Sequence, residues 1–446
     1  MNKKLYIETY GCQMNFSDSE IVASVMSGQA FEFTPEARDA DVIFLNTCSI
    51  RDHAEKRVIN RLRELQHLRK KKPGLLIGVL GCMAERLKTA LLEEETYGMR
   101  VDLVAGPDAY RDLPKLLSGA GSGQKAINVL LSTEETYADI SPVRYADNGV
   151  SAFISIMRGC QNYCAYCVVP YTRGKERSRS PESILSEMKH LSEAGYREVT
   201  LLGQNVNSYL WTDPHTNETI DFSILLGRVA AVDADMRIRF ATSHPKDIST
   251  MLLCRIAATP NICNALHLPV QSGSSAVLKR MNRKYTREAY LEKVKEAKQL
   301  IPGLAITTDI IAGFCGETED EHQETLSLME EVGFDFAFMF KYSERPDTPA
   351  ANSLEDDVPD EVKTRRLNEI IEKQQALSYK SNQKEIGSTQ KVLVEGTSKR
   401  SREQLMGRTT KNKVAVFPGM SYRPGDYVWV EITGCSSATL KGEPRP

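Results

Sequence analysis

Three cysteines stand close together near the middle of the chain, directly after a short apolar run. They are Cys160, Cys164 and Cys167 in the sequence Arg-Gly-Cys-Gln-Asn-Tyr-Cys-Ala-Tyr-Cys, and residues 153–157 before them are typical of a buried strand. Three thiolates at this spacing can bind three irons of a 4Fe–4S cluster and leave the fourth iron without a protein ligand. A structural zinc site needs a fourth ligand, and no Cys or His follows at a suitable spacing. The motif predicts an iron–sulfur site with one open coordination position.

A second set of three cysteines is dispersed over the first part of the chain. Each follows a predicted apolar strand by one or two residues: Cys12 after residues 5–10, Cys48 after 42–46 and Cys82 after 75–80. The carboxyl ends of neighbouring parallel strands meet at one edge of a sheet, where such folds bind their ligands. Small core cysteines are the alternative, but three of them would not be expected at the same point of three strands. We therefore predict a second cluster with three protein ligands and an open iron.

The chain begins with basic residues but has no apolar signal segment, and no stretch approaches the ~18 apolar residues that a membrane helix needs. We therefore expect a cytoplasmic protein without a membrane partner. In a reducing compartment its ten cysteines would serve metal or redox chemistry rather than disulfides. The four cysteines outside the two triads are expected to be free thiols: Cys254, Cys263, Cys315 and Cys435.

The pattern of apolar runs predicts an α/β protein of three parts. Residues 1–132 alternate short strands with helices, which favours a parallel, Rossmann-like sheet covered on both faces. Residues 146–378 repeat that alternation as six units, which predicts a partial, TIM-like (β/α)6 barrel with its site at the carboxyl ends of the strands. Residues 380–446 contain short β-rich runs and turn signals, which are typical of a small all-β barrel.

The last part of the chain is basic. Between Tyr379 and Pro446 there are 12 Lys and Arg residues against 6 Asp and Glu, a net charge of +6, which leaves −8 on the rest. A solvated basic face is one explanation, and contact with the phosphates of a nucleic acid is the other. We expect two groups of basic residues to project together from one end of the small barrel: Lys399, Arg400 and Arg402, and Arg408, Lys411 and Lys413. Because no cysteine of either triad lies there, this part is expected to be separable from the chemistry.

A cysteine triad after the first strand of a partial barrel resembles the radical S-adenosylmethionine (SAM) superfamily. The resemblance implies that SAM binds the open iron and is cleaved to a 5′-deoxyadenosyl radical. It also implies SAM-binding residues on later strands, and each matching position could instead be a strand-end turn. The usual Gly-Gly-Glu is replaced by Gly-Gln-Asn, which leaves open which side chain holds the SAM amino group. The matching positions are Gly203, Gln204, Asn205, Ser243, Asp309 and Gly313.

The two triads followed by a small basic barrel resemble the methylthiotransferases, which end in a TRAM domain. Residues 9–15, Thr-Tyr-Gly-Cys-Gln-Met-Asn, and residues 167–174, Cys-Val-Val-Pro-Tyr-Thr-Arg-Gly, are similar to the branch that acts on dimethylallylated adenosine 37 of tRNA. The branches that act on threonylcarbamoyladenosine or on a ribosomal protein are the alternatives. A radical SAM enzyme with another protein substrate is a further one. A non-enzymatic iron–sulfur RNA sensor is another alternative, but it would not explain the presence of the partial barrel.

This resemblance implies a reaction and its participants. Two 4Fe–4S clusters and two molecules of SAM would be used. The cluster on Cys12, Cys48 and Cys82 would hold a sulfur that is methylated, and the radical would remove hydrogen from C2 of the adenine before the methylthio group is inserted. The partners would be the anticodon stem-loop of tRNA, a reducing electron-donor protein and an unidentified sulfur donor. The enzyme is expected to be a monomer.

Overall fold

The computed structural model describes residues 3–29, 31–49, 52–145, 148–398, 401–419 and 421–445, without the side chains of 52–54 and 402. Its order of elements confirms the predicted α/β class, with a parallel sheet, a partial barrel and a small closed barrel in succession. Among the described residues, no helix combines the length and the apolar character that a membrane crossing requires.

The first part is a six-stranded parallel sheet with helices on both faces. Its strand order is β2-β1-β3-β4-β5-β6, and every residue of the central strand β3 is buried, as expected where both faces are covered. Separate apolar cores lie on the two faces. The elements are β1 Lys3–Thr9, α1 Gln13–Ser27, β2 Phe31–Phe33, β3 Val42–Thr47, α2 Asp52–Lys71, β4 Leu76–Gly81, α3 Cys82–Leu87, α4 Glu94–Tyr97, β5 Leu103–Ala105, α5 Leu113–Gly121 and β6 Ala126–Asn128.

The second part alternates strands and helices over more than 230 residues. Its elements are β7 Ser151–Ser155, β8 Met157–Arg158, α6 Val169–Arg173, β9 Arg177–Ser178, α7 Pro181–Glu193, β10 Glu198–Leu202, β11 Leu210–Thr212, β12 Thr219–Asp221, α8 Phe222–Ala230, β13 Arg237–Phe240, α9 Thr250–Ala258, β14 Ala265–His267, α10 Ser275–Arg280, α11 Arg287–Leu300, β15 Ala305–Ala312, α12 Glu319–Val332, β16 Phe336–Lys341, α13 Pro349–Ser353 and α14 Asp360–Gln383.

Six parallel strands of this part form the predicted partial barrel. They pair as two sheets, β7-β10-β13 and β14-β15-β16, and a parallel bridge between Ile238 and Ile262 joins the two. In the described chain no ladder joins β7 to β16, so the barrel is open on that side. The carboxyl ends of all six strands point the same way and gather the loops that follow them.

The third part is a closed barrel with strand order β17-β18-β19-β21-β20 around its own apolar core. Its strands are β17 Thr389–Ser398, β18 Ser401–Arg408, β19 Val414–Pro418, β20 Tyr427–Cys435 and β21 Leu440–Pro444. The sequence pattern predicts strands at residues 391–394, 413–417 and 427–432, which correspond to β17, β19 and β20, and misses β18 and β21. In β18 no apolar alternation precedes Leu405, and β21 carries Gly and Pro, so the barrel partners rather than the local sequence define both strands.

The residues between the two basic groups form strand β18, so Arg402 and Arg408 lie near its opposite ends, about 20 Å apart, instead of projecting together from one end of the barrel. Lys399 and Arg400 fall outside the described residues, as does the side chain of Arg402. The polar sequence between the two basic groups is typical of a turn, but in the structure these residues pair with β17 and β19.

In the second basic group, Arg408 pairs with Glu395 of β17, whereas Lys411 and Lys413 form ion pairs where the small barrel meets the partial barrel. Lys411 forms an ion pair with Glu385 at 2.7 Å, and Lys413 forms one with Asp335 at 3.1 Å. In the barrel, Arg239 donates to the carbonyl oxygens of Thr409 at 2.7 Å and Thr410 at 3.2 Å.

These contacts place the 409–413 loop of the small barrel at the amino ends of the barrel strands. There Arg237 also donates to the carbonyl oxygens of Arg408 at 2.7 Å and Lys391 at 2.5 Å. The loop closes this end of the barrel. We therefore expect removal of the small barrel to disturb the middle part, rather than to leave it intact.

Replacing Arg239 tests this closure. In the Arg239→Ala variant Glu198, whose side chain is 6% exposed and lies 2.8 Å from Arg239, would lose its ion-pair partner. An uncompensated buried charge costs about 3–5 kcal/mol, so thermal unfolding should begin several degrees lower. Arg38→Ala is the matched control because the Arg38 side chain is 73% exposed and should leave the unfolding temperature unchanged. Equal unfolding temperatures for the two variants would contradict a stabilising role for Arg239, which holds both Glu198 and the 409–413 loop at this end of the barrel.

Candidate active site

The loop between β8 and α6 carries Cys160, Cys164 and Cys167 at the carboxyl end of the first barrel strand. The turn into this loop requires a glycine. Gly159 has φ +81°, and a Cβ there would lie 1.9 Å from the carbonyl oxygen of Lys175. A residue with a side chain could not occupy this position without displacing the backbone that carries Cys160.

The three thiols of this loop are close enough to affect one another. Burial raises the pKa of Cys160 to about 11, and the neighbouring Glu176 and Cys164 add to the effect. Burial raises the pKa of Cys167 to about 12, with Cys164 and Cys160 adding. Without a metal these two thiols are neutral at physiological pH, and a bound metal would have to displace their protons.

A buried arginine contacts this triad. Arg283 Nη1 lies 3.3 Å from Cys164 Sγ, its Nη2 donates to the Pro269 carbonyl at 2.9 Å, and its Nε donates to the Tyr285 hydroxyl at 2.9 Å. Three directed bonds fix the guanidinium plane against the sulfur. The site thus offers a cation and an N–H donor to a thiolate ligand, and both favour a negatively charged cluster.

The polar side chains that follow three neighbouring barrel strands have unsatisfied hydrogen-bonding atoms. Gln204 Oε1 follows β10, Ser243 Oγ follows β13 and Gln271 Oε1 follows β14, and all three atoms are buried without a hydrogen-bond partner in the protein. Buried polar atoms are rarely left unpaired. Their position at the carboxyl ends of the strands fits a polar ligand such as the amino acid and ribose parts of SAM.

Two residues at these carboxyl ends of the barrel strands have a strained backbone conformation. Thr242 has φ +66° and Gln271 has φ +73°, in the left-handed region that residues other than glycine avoid. Such a conformation costs about 1–3 kcal/mol and is concentrated at binding sites, where the surrounding structure holds it. Ser243 directly follows Thr242, so the strained turn sets the direction of an unpartnered hydroxyl group.

The remaining residues predicted to bind SAM are placed differently. The side chain of Asn205 is satisfied within the protein, because it donates to Asp247 at 2.8 Å and accepts from the His244 amide at 3.0 Å. A Cβ at Gly203 would lie 2.5 Å from Met157 Cγ, so that glycine allows two strand ends to approach. The residues Gln204 and Ser243 therefore remain the better predictions for direct side-chain contact.

Two further predicted residues lie on β15 and just after it. Asp309 faces His267, with 3.5 Å between Oδ1 and Nε2. Gly313 packs against α14, where a Cβ would lie 2.3 Å from Lys363 Cγ, and its N–H donates to Glu317 at 2.7 Å. Packing therefore accounts for this glycine, and its contact with SAM stays a prediction.

In the first part, Cys12, Cys48 and Cys82 follow β1, β3 and β4 at one edge of the parallel sheet. Cys12 precedes α1 and Cys82 begins α3, while Cys48 lies in the loop between them in space. Gly11 has φ +109°, and a Cβ there would lie 2.3 Å from Cys48 Cβ, so the close approach of the first two cysteines depends on this glycine.

The second part of the chain supplies an arginine to this triad. Arg173, at the end of α6, donates from Nε to Cys82 Sγ at 3.2 Å and from Nη2 to Asn15 Oδ1 at 2.9 Å and Asp18 Oδ2 at 2.8 Å. Its third nitrogen, Nη1, is buried and has no hydrogen-bond partner. An orphaned guanidinium donor beside thiols fits a site that holds an anionic group.

The spacing of the sulfurs bears on which metal the triads fit. Within the described residues, Glu319, His322 and Glu369 alone form a group of three ligand atoms that all lie within 4.8 Å of one another, so neither cysteine triad is that compact. Thiolates on a single zinc ion lie ~3.8 Å apart, given Zn–S bonds of about 2.3 Å. In each triad at least one distance between two sulfurs exceeds 4.8 Å, which is too long for a shared zinc ion and is compatible with sulfurs that bind different irons of a cluster.

Sequence reasoning missed Arg173, Arg283, Gln271 and Asp18. Arg173 stands in the stretch 167–174 that carries the family resemblance, which is the one signal that could have indicated it. Arg283 and Gln271 follow elements with no local motif, Asp18 lies within α1, and only the tertiary structure brings these residues to the two sites.

Three protein-family models match the chain in succession. The first, described as Uncharacterized protein family UPF0004, matches residues 4–106. The second, the Radical SAM superfamily, matches residues 154–329, and the third, the TRAM domain, matches residues 383–444.

Curated relatives match over nearly the full length. The tRNA-2-methylthio-N(6)-dimethylallyladenosine synthase of Bacteroides thetaiotaomicron is 58% identical over 442 residues, covering 99% of this chain and 96% of the relative. The proteins of the same name from Chloroherpeton thalassium and Amoebophilus asiaticus are each 56% identical and cover 98% and 99% of this chain and 95% and 93% of their own lengths.

Solved structures with the same fold are more distant in sequence. The radical SAM methyltransferase TsrM from Kitasatospora setae, with cobalamin and a 4Fe–4S cluster bound, aligns with a TM-score of 0.57 at 14% identity over 79% of this chain and 77% of its own. The cobalamin-dependent SAM radical enzyme OxsB aligns with a TM-score of 0.55 at 15% identity over 83% of this chain and 56% of its own. At these identities the likeness shows the fold.

Replacing Gly11 tests the geometry of the first triad. The Gly11→Ala variant would place a methyl group on Cys48 and force a positive φ on a residue that avoids it, so Cys12 should move away. We expect iron after reconstitution to fall from about eight to about four atoms per chain. Gly98→Ala is the matched control, since Gly98 also has a positive φ, +64°, but nothing lies within 4 Å of its Cβ position. Full iron content in Gly11→Ala would contradict the packing argument.

Proposed function

The chain belongs to the family of tRNA-2-methylthio-N(6)-dimethylallyladenosine synthases, and we propose that it is a radical SAM methylthiotransferase that converts N6-dimethylallyladenosine 37 of tRNA to its 2-methylthio derivative. The observation that carries the proposal is the pair of cysteine triads, one at a sheet edge and one in a barrel loop, joined by a single arginine. Arg173 contacts Cys82 and lies only six residues after Cys167. The helix between the two rises about 8 Å, so the two sites are neighbours.

The roles of the cysteines follow from this arrangement. Cys160, Cys164 and Cys167 hold the cluster that binds SAM, and Cys12, Cys48 and Cys82 hold the cluster that carries the sulfur. When bound, the clusters and SAM supply the one-electron chemistry and the sulfur that no side chain can provide, since C2 of an adenine has no acidic hydrogen. The protein positions the reactants and keeps water away from them.

Side chains at the carboxyl ends of the barrel strands bind SAM in this proposal. Gln204 and Ser243 offer buried oxygen atoms without partners, and Gln271 offers a third. Asn205 and Asp247 hold each other and thereby fix the loop that presents Gln204. The closure of the opposite barrel end by the 409–413 loop removes a path for solvent into the lumen.

The partners follow from the same reaction. The anticodon stem-loop of tRNA is the proposed substrate, and the C-terminal small barrel, which matches the TRAM domain, supports that choice. Reductive cleavage of SAM requires an electron, so we include a reducing protein as donor. We further propose that the enzyme acts in the cytoplasm, as a monomer, because one chain contains both triads and the barrel loops between them.

The two triads should separate the half-reactions. Reconstituted, reduced protein is incubated with SAM and dimethylallylated tRNA, and nucleosides and 5′-deoxyadenosine are then measured by mass spectrometry. The triple variant Cys160→Ala, Cys164→Ala, Cys167→Ala should make neither product. The triple variant Cys12→Ala, Cys48→Ala, Cys82→Ala should still cleave SAM but should give no methylthio nucleoside.

One control variant and two contradicting results complete the design of this experiment. Cys254→Ala, at an exposed free thiol, should behave as the unaltered protein. Methylthiolated adenosine from either triple variant would refute the assignment of that triad. Methylthiolation of threonylcarbamoylated tRNA or of a ribosomal protein in place of dimethylallylated tRNA would refute the substrate.

A further inference from the structure

Arg173 stands between the two cysteine triads, and its side chain crosses from the part of the chain that carries one to the part that carries the other. Its backbone belongs to α6, which follows Cys167, whereas its guanidinium group contacts Cys82, Asn15 and Asp18. The side chain is 3% exposed. A cation in such a place costs much free energy unless negative groups surround it.

The negative groups around Arg173 come from the N-terminal part. Asp18 shares its two carboxylate oxygens between Arg173 at 2.8 Å and Arg158 at 2.7 Å. Burial opposes the ionisation of Asp18, but Arg158 and Arg173 outweigh that effect and hold its pKa below the ordinary value. A second buried carboxylate, Asp108, pairs with Arg158 at 3.6 Å and with Arg177 at 3.0 Å. Three buried guanidinium groups thus face two carboxylates, and one net positive charge remains in the network that contacts the thiols.

That remaining charge has a match only when the thiols are thiolates on a cluster. Three thiolates and a 4Fe–4S core form an anion, and N–H groups that point at its sulfurs stabilise the reduced, more negative state. Arg173 supplies one N–H to Cys82 and a second, on Nη1, that has no protein partner. The buried cation thus suits the loaded site better than the empty one.

We propose that Arg173 is a positioning residue for the N-terminal cluster: it hydrogen-bonds the Cys82 sulfur, raises the reduction potential of that cluster, and fixes its place relative to the SAM-binding loop. Arg283 serves the other cluster in the same way through Cys164. Each cluster then has one dedicated arginine, and the arginine of the N-terminal cluster is supplied by the loop of the radical cluster. This inference rests on the proposed pair of clusters.

Arg177 provides the matched control. It lies four residues after Arg173, its side chain is 4% exposed, and it pairs with Asp108 at 3.0 Å across the same interface, but it has no hydrogen bond to a sulfur. A lysine at either position keeps the positive charge but lacks the planar guanidinium group and its several N–H donors. The two variants Arg173→Lys and Arg177→Lys therefore differ in the contact with Cys82.

The experiment is a reductive titration of the reconstituted full-length protein followed by electron paramagnetic resonance, with and without SAM. The signal that changes on addition of SAM reports the radical cluster, and the other reports the N-terminal cluster. We expect Arg173→Lys to lower the midpoint potential and change the g-values of the SAM-insensitive signal alone. Arg283→Lys should alter the SAM-responsive signal alone, and Arg177→Lys should alter neither.

Several outcomes would overturn the inference. If the SAM-insensitive signal of Arg173→Lys keeps its potential and g-values, or if Arg177→Lys shifts it equally, Arg173 has no specific role. Absence of a SAM-insensitive signal from the unaltered protein would instead refute the second cluster itself, and with it the proposed function.

A second measurement needs no variant and covers the case in which Arg173→Lys does not fold. Unaltered protein labelled with 15N in arginine should show a nuclear coupling from a guanidinium nitrogen in the SAM-insensitive signal. Among the described residues, no other arginine donates to the sulfur of Cys12 or of Cys82. A SAM-insensitive signal without this coupling would overturn the inference.

Discussion

The buried carboxylate of Asp18 is the group on which the arrangement of the two triads depends. It lies one and a half turns into the helix that begins after Cys12, and it binds Arg158, two residues before Cys160, and Arg173, six residues after Cys167. Both arginines bracket the radical cysteine loop, so one fully buried charge fixes that loop against the N-terminal sheet. Two domains joined only by apolar contact could slide, whereas a paired buried charge permits one register, because any other leaves a charge uncompensated.

Much of this architecture was predictable from the sequence. The run before Cys160 and the strands before Cys12 and Cys82 are apolar and end in Gly-Cys, which is local information. The network of Asp18 was not predictable, because a single aspartate within a helix has the pattern of a solvated residue. Likewise Gln271 and Thr242 have no motif, and their positive φ angles arise from the barrel that surrounds them.

In the C-terminal barrel, too, the sequence does not reveal which charged side chains are paired in the fold. Its positive charge is evident in the sequence, but Lys411 pairs with Glu385, in the segment after α14, and Lys413 pairs with Asp335 of the middle part, so neither faces an RNA. Net charge reports what a segment could attract and does not say which charges are already paired within the fold. The small barrel is therefore both a module of its own and the closure of the catalytic barrel. Its remaining exposed charges are the ones available to a nucleic acid.

The central claim is that one chain holds two clusters, side by side, on two cysteine triads. Anomalous diffraction at the iron absorption edge, from crystals of the anaerobically reconstituted protein, tests this directly. The account predicts two iron peaks per chain, one bounded by the sulfurs of Cys12, Cys48 and Cys82 and the other by those of Cys160, Cys164 and Cys167, with Arg173 between them. A single peak, or a second peak away from the N-terminal cysteines, would contradict it.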